Sequence, residues 1–280
     1  MDAEDSTLSR TQRNLDAVFC EDCVEGMRRR LSDASVDVIV TSPPYNIGVA
    51  YDTHDDNMPF GEYLDWLERV ALECRRVLRQ DGSFFLNIGD RPSDELRSLR
   101  AAERVARHFR LQNTIHWIKS IAAPEEGVNM GHYKPVNSPR YLNGCHEYIF
   151  HFTPLGDTRL DKLAVGVPYR DKSNIGRWKS TRRGGGATRD LRGRGNTWYI
   201  PYRTVTGAKP HPAAFPEKLP EMCIRLHGLT GERPLVVLDP FMGTGTTASA
   251  AARLGCRWVG FEISEEYVSQ ARRSLRRAAA

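Results

Sequence analysis

The chain has 280 residues and a mass of 31.7 kDa, with 40% apolar and 27% charged residues, which excludes wholesale disorder and fits one large domain or two small ones. No stretch approaches the ~20 apolar residues of a membrane helix; the polar start MDAEDSTLSR is no secretory signal, and six cysteines are too few for a disulfide scaffold, so a reducing cytoplasm is expected. The net charge of +5 hides an asymmetry: residues 157–203 hold 12 Lys/Arg and 4 Asp, a net of +8, against −3 for the rest.

A short strand is expected over 16–20, then a helix around 24–31. The β-branched run Val36-Asp37-Val38-Ile39-Val40 reads as a buried strand and ends at Thr41-Ser42-Pro43-Pro44-Tyr45. An acidic, turn-rich loop covers 46–59. Residues 62–79 place Leu64, Leu67, Val70, Ala71, Cys74, Val77 and Leu78 at helical spacing, and Asp81-Gly82 is expected to stop that helix. A strand over 83–88 follows. The helix over 94–108 should bury Leu96, Leu99, Ala102, Val105 and Ala106 on one side. Strands over 114–119 and 147–152 can pair, with an irregular stretch over 124–143 between them.

Residues 154–207 have little periodicity and include the run RRGGGATRDLRGRGN. Their charge suits a polyanion, most commonly nucleic acid; the alternative is a solvated basic loop. A helix over 217–227 leads to a strand over 235–238 and then Asp239-Pro240-Phe241-Met242-Gly243-Thr244-Gly245-Thr246-Thr247. An Ala-rich helix runs to Leu254, with Gly255 as its cap. A strand over 257–261 ends at Glu262, and a helix over 264–277 closes the chain. Alternating strands and helices predict an α/β sheet covered on both faces, with ligands beyond the carboxyl ends of the strands. The Ser42–Tyr45 turn, the glycine pair and Glu262 all fall at such ends.

Gly243-x-Gly245 follows a strand and opens a helix, where glycine lets a ligand approach the backbone. Glu262, 19 residues later, can take both hydroxyls of a ribose. With Ala248 the pattern even satisfies G-x-G-x-x-A, so a nicotinamide enzyme is a rival. Only 18 residues follow Glu262, too few for the further strands of such an enzyme. A nucleoside ligand without pyrophosphate, S-adenosyl-L-methionine, fits better. A phosphate loop does not fit, because no Gly-Lys-Ser/Thr follows.

In Ser42-Pro43-Pro44-Tyr45 the two prolines fix φ and remove two N–H donors. Ser42 Oγ and the Pro44 carbonyl can then accept both hydrogens of one planar amino group, and Tyr45 offers a face on which a base stacks. An exocyclic base amine is a poor nucleophile because its lone pair is delocalised into the ring. Two acceptors out of the ring plane favour a pyramidal nitrogen that attacks a sulfonium methyl. No metal is required. Pro-Pro alone is an ordinary rigid turn; the glycine-rich loop and Glu262 give it this further reading.

These residues resemble the permuted beta class of amino-group DNA methyltransferases. Ser42, Pro43, Pro44 and Tyr45 match the family's catalytic tetrad, and Phe241, Gly243 and Gly245 its cofactor loop, in the beta order. Asn196-Thr197-Trp198-Tyr199-Ile200-Pro201 and the stretch from His211 through Phe215 to Pro220 resemble two further family segments. The resemblance implies a Rossmann-like, seven-stranded, mostly parallel sheet with one antiparallel strand and a terminal hairpin. It implies a catalytic half over 1–153, a target-recognition region over 154–207 and a cofactor-binding half over 208–280. S-adenosyl-L-methionine is the implied cofactor, held by Asp22, Cys23, His211, Phe215, Asp239, Phe241, Gly243, Gly245, Thr246, Thr247 and Glu262. Double-stranded DNA is the implied partner, contacted by Arg177, Lys179, Arg182, Arg183, Arg189, Arg192 and Arg194, with a flipped target base on Tyr45. A cognate restriction endonuclease and a second copy of the chain are further candidate partners.

Ser42 at the first tetrad position points to cytosine N4, with adenine N6 as the alternative. A DNA-binding protein that keeps the fold without the activity is the alternative from another class. Cys20-Glu21-Asp22-Cys23 has no second cysteine pair for zinc and reads as core or cofactor pocket. Asp52, His54, Asp55 and Asp56 read as a lid rather than a metal site. Trp178 and Trp198 are candidates for base contact, with core packing the alternative for Trp198.

Overall fold

The computed structural model describes residues 9–48, 56–133, 135–170, 191–201, 214–229 and 231–279. In chain order the elements are β1 (Ala17–Cys20), α1 (Cys23–Arg30), β2 (Val36–Thr41), α2 (Phe60–Val77), β3 (Leu78–Ile88), α3 (Arg97–Val105), β4 (Arg110–Ile118), β5 (Ser120–Ala123), β6 (Val128–Gly131), β7 (His146–Thr153), β8 (Val167–Pro168), β9 (Leu191–Arg192), β10 (Thr197–Tyr199), α4 (Lys218–His227), β11 (Val236–Asp239), α5 (Thr246–Arg253), β12 (Arg257–Glu262) and α6 (Glu265–Ala279).

Eight strands form one sheet in the order β1-β12-β11-β2-β3-β7-β4-β10. Only β7 runs against its neighbours, β3 and β4; every other pairing is parallel. The central strands are buried on both faces, and period-two alternation divides them between two cores. Ile39, Phe84, Leu86, Leu238, Val259 and Phe261 pack under α1, α2 and α3. Val38, Val40, Phe85, Val237 and Trp258 pack under α4, α5 and α6. Three helices thus cover each face of a mostly parallel sheet, the expected class.

The chain order closes on itself. β1, at the start, pairs in parallel with β12, near the end, with Cys20 opposite Glu262. The crossover from β2 to β3 runs through α2 on one face, and that from β11 to β12 runs through α5 on the other. Neighbouring strands whose crossovers leave in opposite directions open a crevice at their carboxyl ends. That crevice, between β2 and β11, receives both the Ser42–Tyr45 turn and the glycine-rich loop.

Several elements differ from expectation. The helix ends at Val77, and β3 starts at Leu78 rather than at residue 83, so Asp81 and Gly82 lie in an irregular stretch of strand. A Cβ on Gly82 would come 2.7 Å from the Leu78 side chain and 2.9 Å from the Asp37 carbonyl oxygen, which is why glycine fits that kink. The α3 helix begins at Arg97, so its buried face is Arg97, Ser98, Ala101, Ala102 and Val105, while Leu96, Leu99 and Ala106 are exposed. The stretch expected to be irregular opens inside a hairpin, β5–β6. The sheet has eight strands rather than seven, because β10 adds in parallel to the edge of β4. The β7–β4 pair therefore does not form the sheet's edge. Trp198 on β10 is 1% exposed and packs in the second core; Trp178 lies outside the described residues. No helix among the described residues is long and apolar enough to cross a membrane.

A polar chain crosses the core where β3, β4 and β7 meet α4. Asn113 Nδ2 donates to His151 Nδ1 at 3.0 Å, so His151 carries its proton on Nε2 and donates to Ser83 Oγ at 3.0 Å. Ser83 Oγ is also hydrogen-bonded to His227 Nδ1 at 3.0 Å. His151 is fully buried, and burial, with some repulsion from His227, lowers its pKa from 6.5 to about 3. The folded state therefore keeps this imidazole neutral where the unfolded chain takes up a proton. Its stabilising contribution is complete above pH ~6.5 and is lost, at ~1.4 kcal/mol per unit, as pH falls toward 3. Denaturant titrations between pH 7 and pH 5 should show this loss, and His151→Asn should flatten it.

Candidate active site

The site begins where β2 runs out. Thr41, 1% exposed, donates its hydroxyl to Asp239 Oδ1 at 2.6 Å. Thr247, in the first turn of α5, donates to Asp239 Oδ2 at 2.6 Å, and the Phe241 N–H donates to Oδ1 at 3.0 Å. One buried carboxylate thus joins the strand before the proline turn, the loop after β11 and the helix after that loop. Burial raises the Asp239 carboxyl to about 6, against the lowering by Thr247, Thr41 and the Phe241 N–H. Asp239 and Thr247 are buried and occupied by one another, so they hold the loop's shape.

The loop folds back on itself and on β12. Met242 N–H donates to the Phe261 carbonyl, and Gly245 N–H to the Met242 carbonyl. Gly243 and Gly245 have φ of +51° and +90°, where a side chain is strained, and a Cβ on Gly245 would also press on Ala271 at 3.2 Å. Gly243 N–H donates to Glu262 Oε2 and Ser264 N–H to Oε1, each at 2.9 Å. Burial raises the Glu262 carboxyl, opposed by the backbone N–H groups of Ser264, Gly243 and Ile263.

On the neighbouring strand end, Asp22 caps α1: its Oδ1 accepts from Val24 N–H at 2.9 Å and Glu25 N–H at 3.1 Å. Cys23 points into the first core, where burial pushes its thiol up, away from reactivity. Phe241 is half-buried against Trp66, with ring centroids 5.3 Å apart. Phe215 is buried in the second core just ahead of α4, and His211 lies outside the described residues.

On the target side, Ser42 Oγ donates to the Tyr45 hydroxyl at 2.8 Å, and that hydroxyl donates to Glu147 Oε2 at 2.9 Å. Lys119 Nζ meets Glu147 Oε1 at 3.0 Å, and Asn87 Nδ2 meets Oε2 at 3.1 Å. The loop beyond is pinned by Asp56, whose oxygens accept from Asn46 N–H at 2.7 Å and Ile47 N–H at 3.0 Å. Asn46 adopts φ +56°, and buried Arg97 donates to its carbonyl at 3.0 Å. Asp56 is therefore an anchor of the turn; Asp52, His54 and Asp55 lie outside the described residues.

Sequence reasoning missed Glu147, Lys119, Asn87 and Arg97. Their signal was present in the strand ends. Lys119 follows β4 directly, Glu147 sits one residue into β7, and antiparallel pairing of two apolar strands brings the charges together. Of the expected DNA contacts, Arg177, Lys179, Arg182, Arg183 and Arg189 lie outside the described residues. Arg192 is exposed on β9. Arg194 is half-buried, and its Nε donates to the Val165 carbonyl at 3.0 Å. Among the described residues no group of three or more His, Cys, Asp or Glu is placed to hold a metal.

Known proteins share this fold. A family model described as DNA methylase (N6_N4_Mtase) matches residues 36–273. The type II methyltransferase M.BglII of Bacillus subtilis is 31% identical over 249 residues, covering 85% of this chain; the chain spans 63% of that protein's length. The structure of PvuII DNA methyltransferase (cytosine-N4-specific) has the same fold, with a TM-score of 0.66, 23% identity and coverage of 91% of this chain and 84% of that one. The modification methylase TTHA0409 of Thermus thermophilus, solved with S-adenosyl-L-methionine, is 26% identical with a TM-score of 0.59, covering 93% of each chain.

Because Asp239 accepts three hydrogen bonds in a dry site, Asp239→Ala leaves buried donors unpaired. It should cost about 1–3 kcal/mol of stability. Chemical denaturation of the two proteins measures the difference, and an unchanged midpoint would contradict the bridging role.

Proposed function

The chain belongs to the DNA methylase family, and from that premise we propose that it transfers a methyl group from S-adenosyl-L-methionine to the exocyclic N4 amine of cytosine in double-stranded DNA. The observation that carries the reading is the 2.6 Å bond from Thr41 to Asp239, which sets the proline turn and the glycine-rich loop side by side over one crevice. Target amine and methyl donor then meet without either half having to move far.

The donor set fits the cofactor. Glu262 and Asp22 stand at the ends of adjacent strands, β12 and β1. Glu262 faces a ribose diol with oxygens already oriented by backbone N–H groups. Asp22 uses only Oδ1 for its cap, and Oδ2 serves an adenine amine. When bound, the cofactor supplies an electrophilic methyl group on a sulfonium. The chain's own residues do the rest. Ser42 Oγ and the Pro44 carbonyl accept from the amine, the Tyr45 ring stacks the flipped base, and the buried walls around Thr41 and Pro43 exclude water.

A hydroxyl rather than a carboxylate at position 42 supports cytosine N4. The family model embraces both N6 and N4 chemistry, so adenine N6 is the second reading. Digesting methylated DNA to nucleosides and weighing them decides between the two: N4-methylcytosine is expected, and N6-methyladenine in its place overturns the base assignment. Ser42→Ala should slow turnover severely while leaving S-adenosyl-L-methionine affinity nearly unchanged.

Residues 154–207 serve as the target-recognition region in this reading, with Arg177, Lys179, Arg182, Arg183, Arg189, Arg192 and Arg194 on phosphates. Deleting residues 182–194 removes five arginines and one acid. The slope of log K for DNA against log salt should become shallower, because fewer counterions are released on binding. An unchanged slope would place this run away from the backbone.

A further inference from the structure

A serine hydroxyl has one proton and two lone pairs, so it can either accept from a target amine or donate toward it. The second orientation is unproductive. It ties up the nitrogen lone pair that must attack the methyl group. What decides between them is where the Ser42 proton is held.

In this structure the direction is set from the far end of a chain. Ion-paired with Lys119 at 3.0 Å, the Glu147 carboxylate has no proton to give and only accepts. Tyr45 therefore donates its single proton to Glu147 Oε2, at 2.9 Å, and its oxygen is left to accept from Ser42 at 2.8 Å. Glu147 cannot swing away: Lys119 holds one oxygen, Asn87 the other, and the residue is only 9% exposed. The backbone is fitted to the pair as well. A Cβ on Gly89 would stand 3.0 Å from Glu147 Cγ and 3.2 Å from Tyr45 Cε2.

We propose that Glu147 is a positioning residue for methyl transfer: through the Tyr45 hydroxyl it turns the Ser42 proton away from the substrate, so that Ser42 meets the target amine as an acceptor only. The inference rests on reading Ser42–Tyr45 as the target site. Glu147 touches no substrate, and its effect passes through Tyr45.

Single-turnover methyl transfer to DNA tests it with Glu147→Gln, Tyr45→Phe and the double variant. Glu147→Gln leaves Lys119 without its counter-charge and risks the fold. Tyr45→Phe keeps that ion pair and the stacking ring and cuts the chain in the middle. Each single variant should slow transfer roughly 10- to 100-fold, the scale of a misoriented reacting group. Affinity for S-adenosyl-L-methionine and the melting temperature of Tyr45→Phe should stay at wild-type values. The double variant should be no slower than Tyr45→Phe, because a chain already cut has no orientation left to lose. Full-rate transfer by either single variant, or losses that multiply in the double, overturns the role of Glu147 alone. A wild-type protein that methylates no DNA overturns the reading of the site, and the role of Glu147 falls with it.

Discussion

Asp239 is the interaction on which the rest of the structure depends. Parallel sheets leave their functional loops as separate excursions from separate strands, and nothing in the ladder fixes one loop relative to the next. Here the last residue of β11 reaches sideways to Thr41, the last residue of β2, and forward to Thr247 in α5. Three elements distant in sequence are thereby tied at one dry point. The cost is visible in the carboxyl itself, which burial raises to about 6 despite the hydroxyl and N–H donors around it. A buried acid that accepts every bond offered, and offers none to solvent, is a structural clamp.

The clamp explains how a permuted chain order still yields one site. The proline turn comes early and the glycine-rich loop late; Thr41 and Asp239 are 198 residues apart in the chain. Their strands are nonetheless neighbours, because β2 and β11 lie at the switch where crossovers leave to opposite faces. The first strand then pairs with the last, and Asp22 arrives beside Glu262. Connectivity is free to vary so long as the switch point and its clamp survive.

Much of this was legible in the sequence. β-branched runs, Pro-Pro and the positive-φ glycines announce strands, a rigid turn and a tight loop through local chemistry alone, and β2, β11, β12 and the flanking helices fall where periodicity puts them. The misses are of another kind. The α3 helix looked as if it buried Leu96 and Leu99, but tertiary demand put the Arg97 side chain inside, where it holds the Asn46 carbonyl. The partners of Asp239 come from β2 and α5, elements that no local pattern connects to it. Glu147 and Lys119 acquire meaning only from the β4–β7 register. Local signals carry element type; long-range pairing carries which charges meet.

Glu147 also bears on the choice of serine in the tetrad. A carboxylate at position 42 would accept from an amine in any orientation, since it has no proton to misplace. A serine there accepts reliably only if its proton has somewhere better to go. The Tyr45 hydroxyl gives it that place, and Glu147 makes the arrangement one-directional. The negative charge is thus kept, but two hydrogen bonds back from Ser42, where Lys119 neutralises it. In the proposed function, moving the charge away leaves a neutral pocket for the flipped base, and the ring proposed to stack the base also transmits the orientation. On this reading Tyr45 is needed for its hydroxyl as much as for its face, and the tetrad is incomplete without a residue of β7, two strands along the sheet from β2.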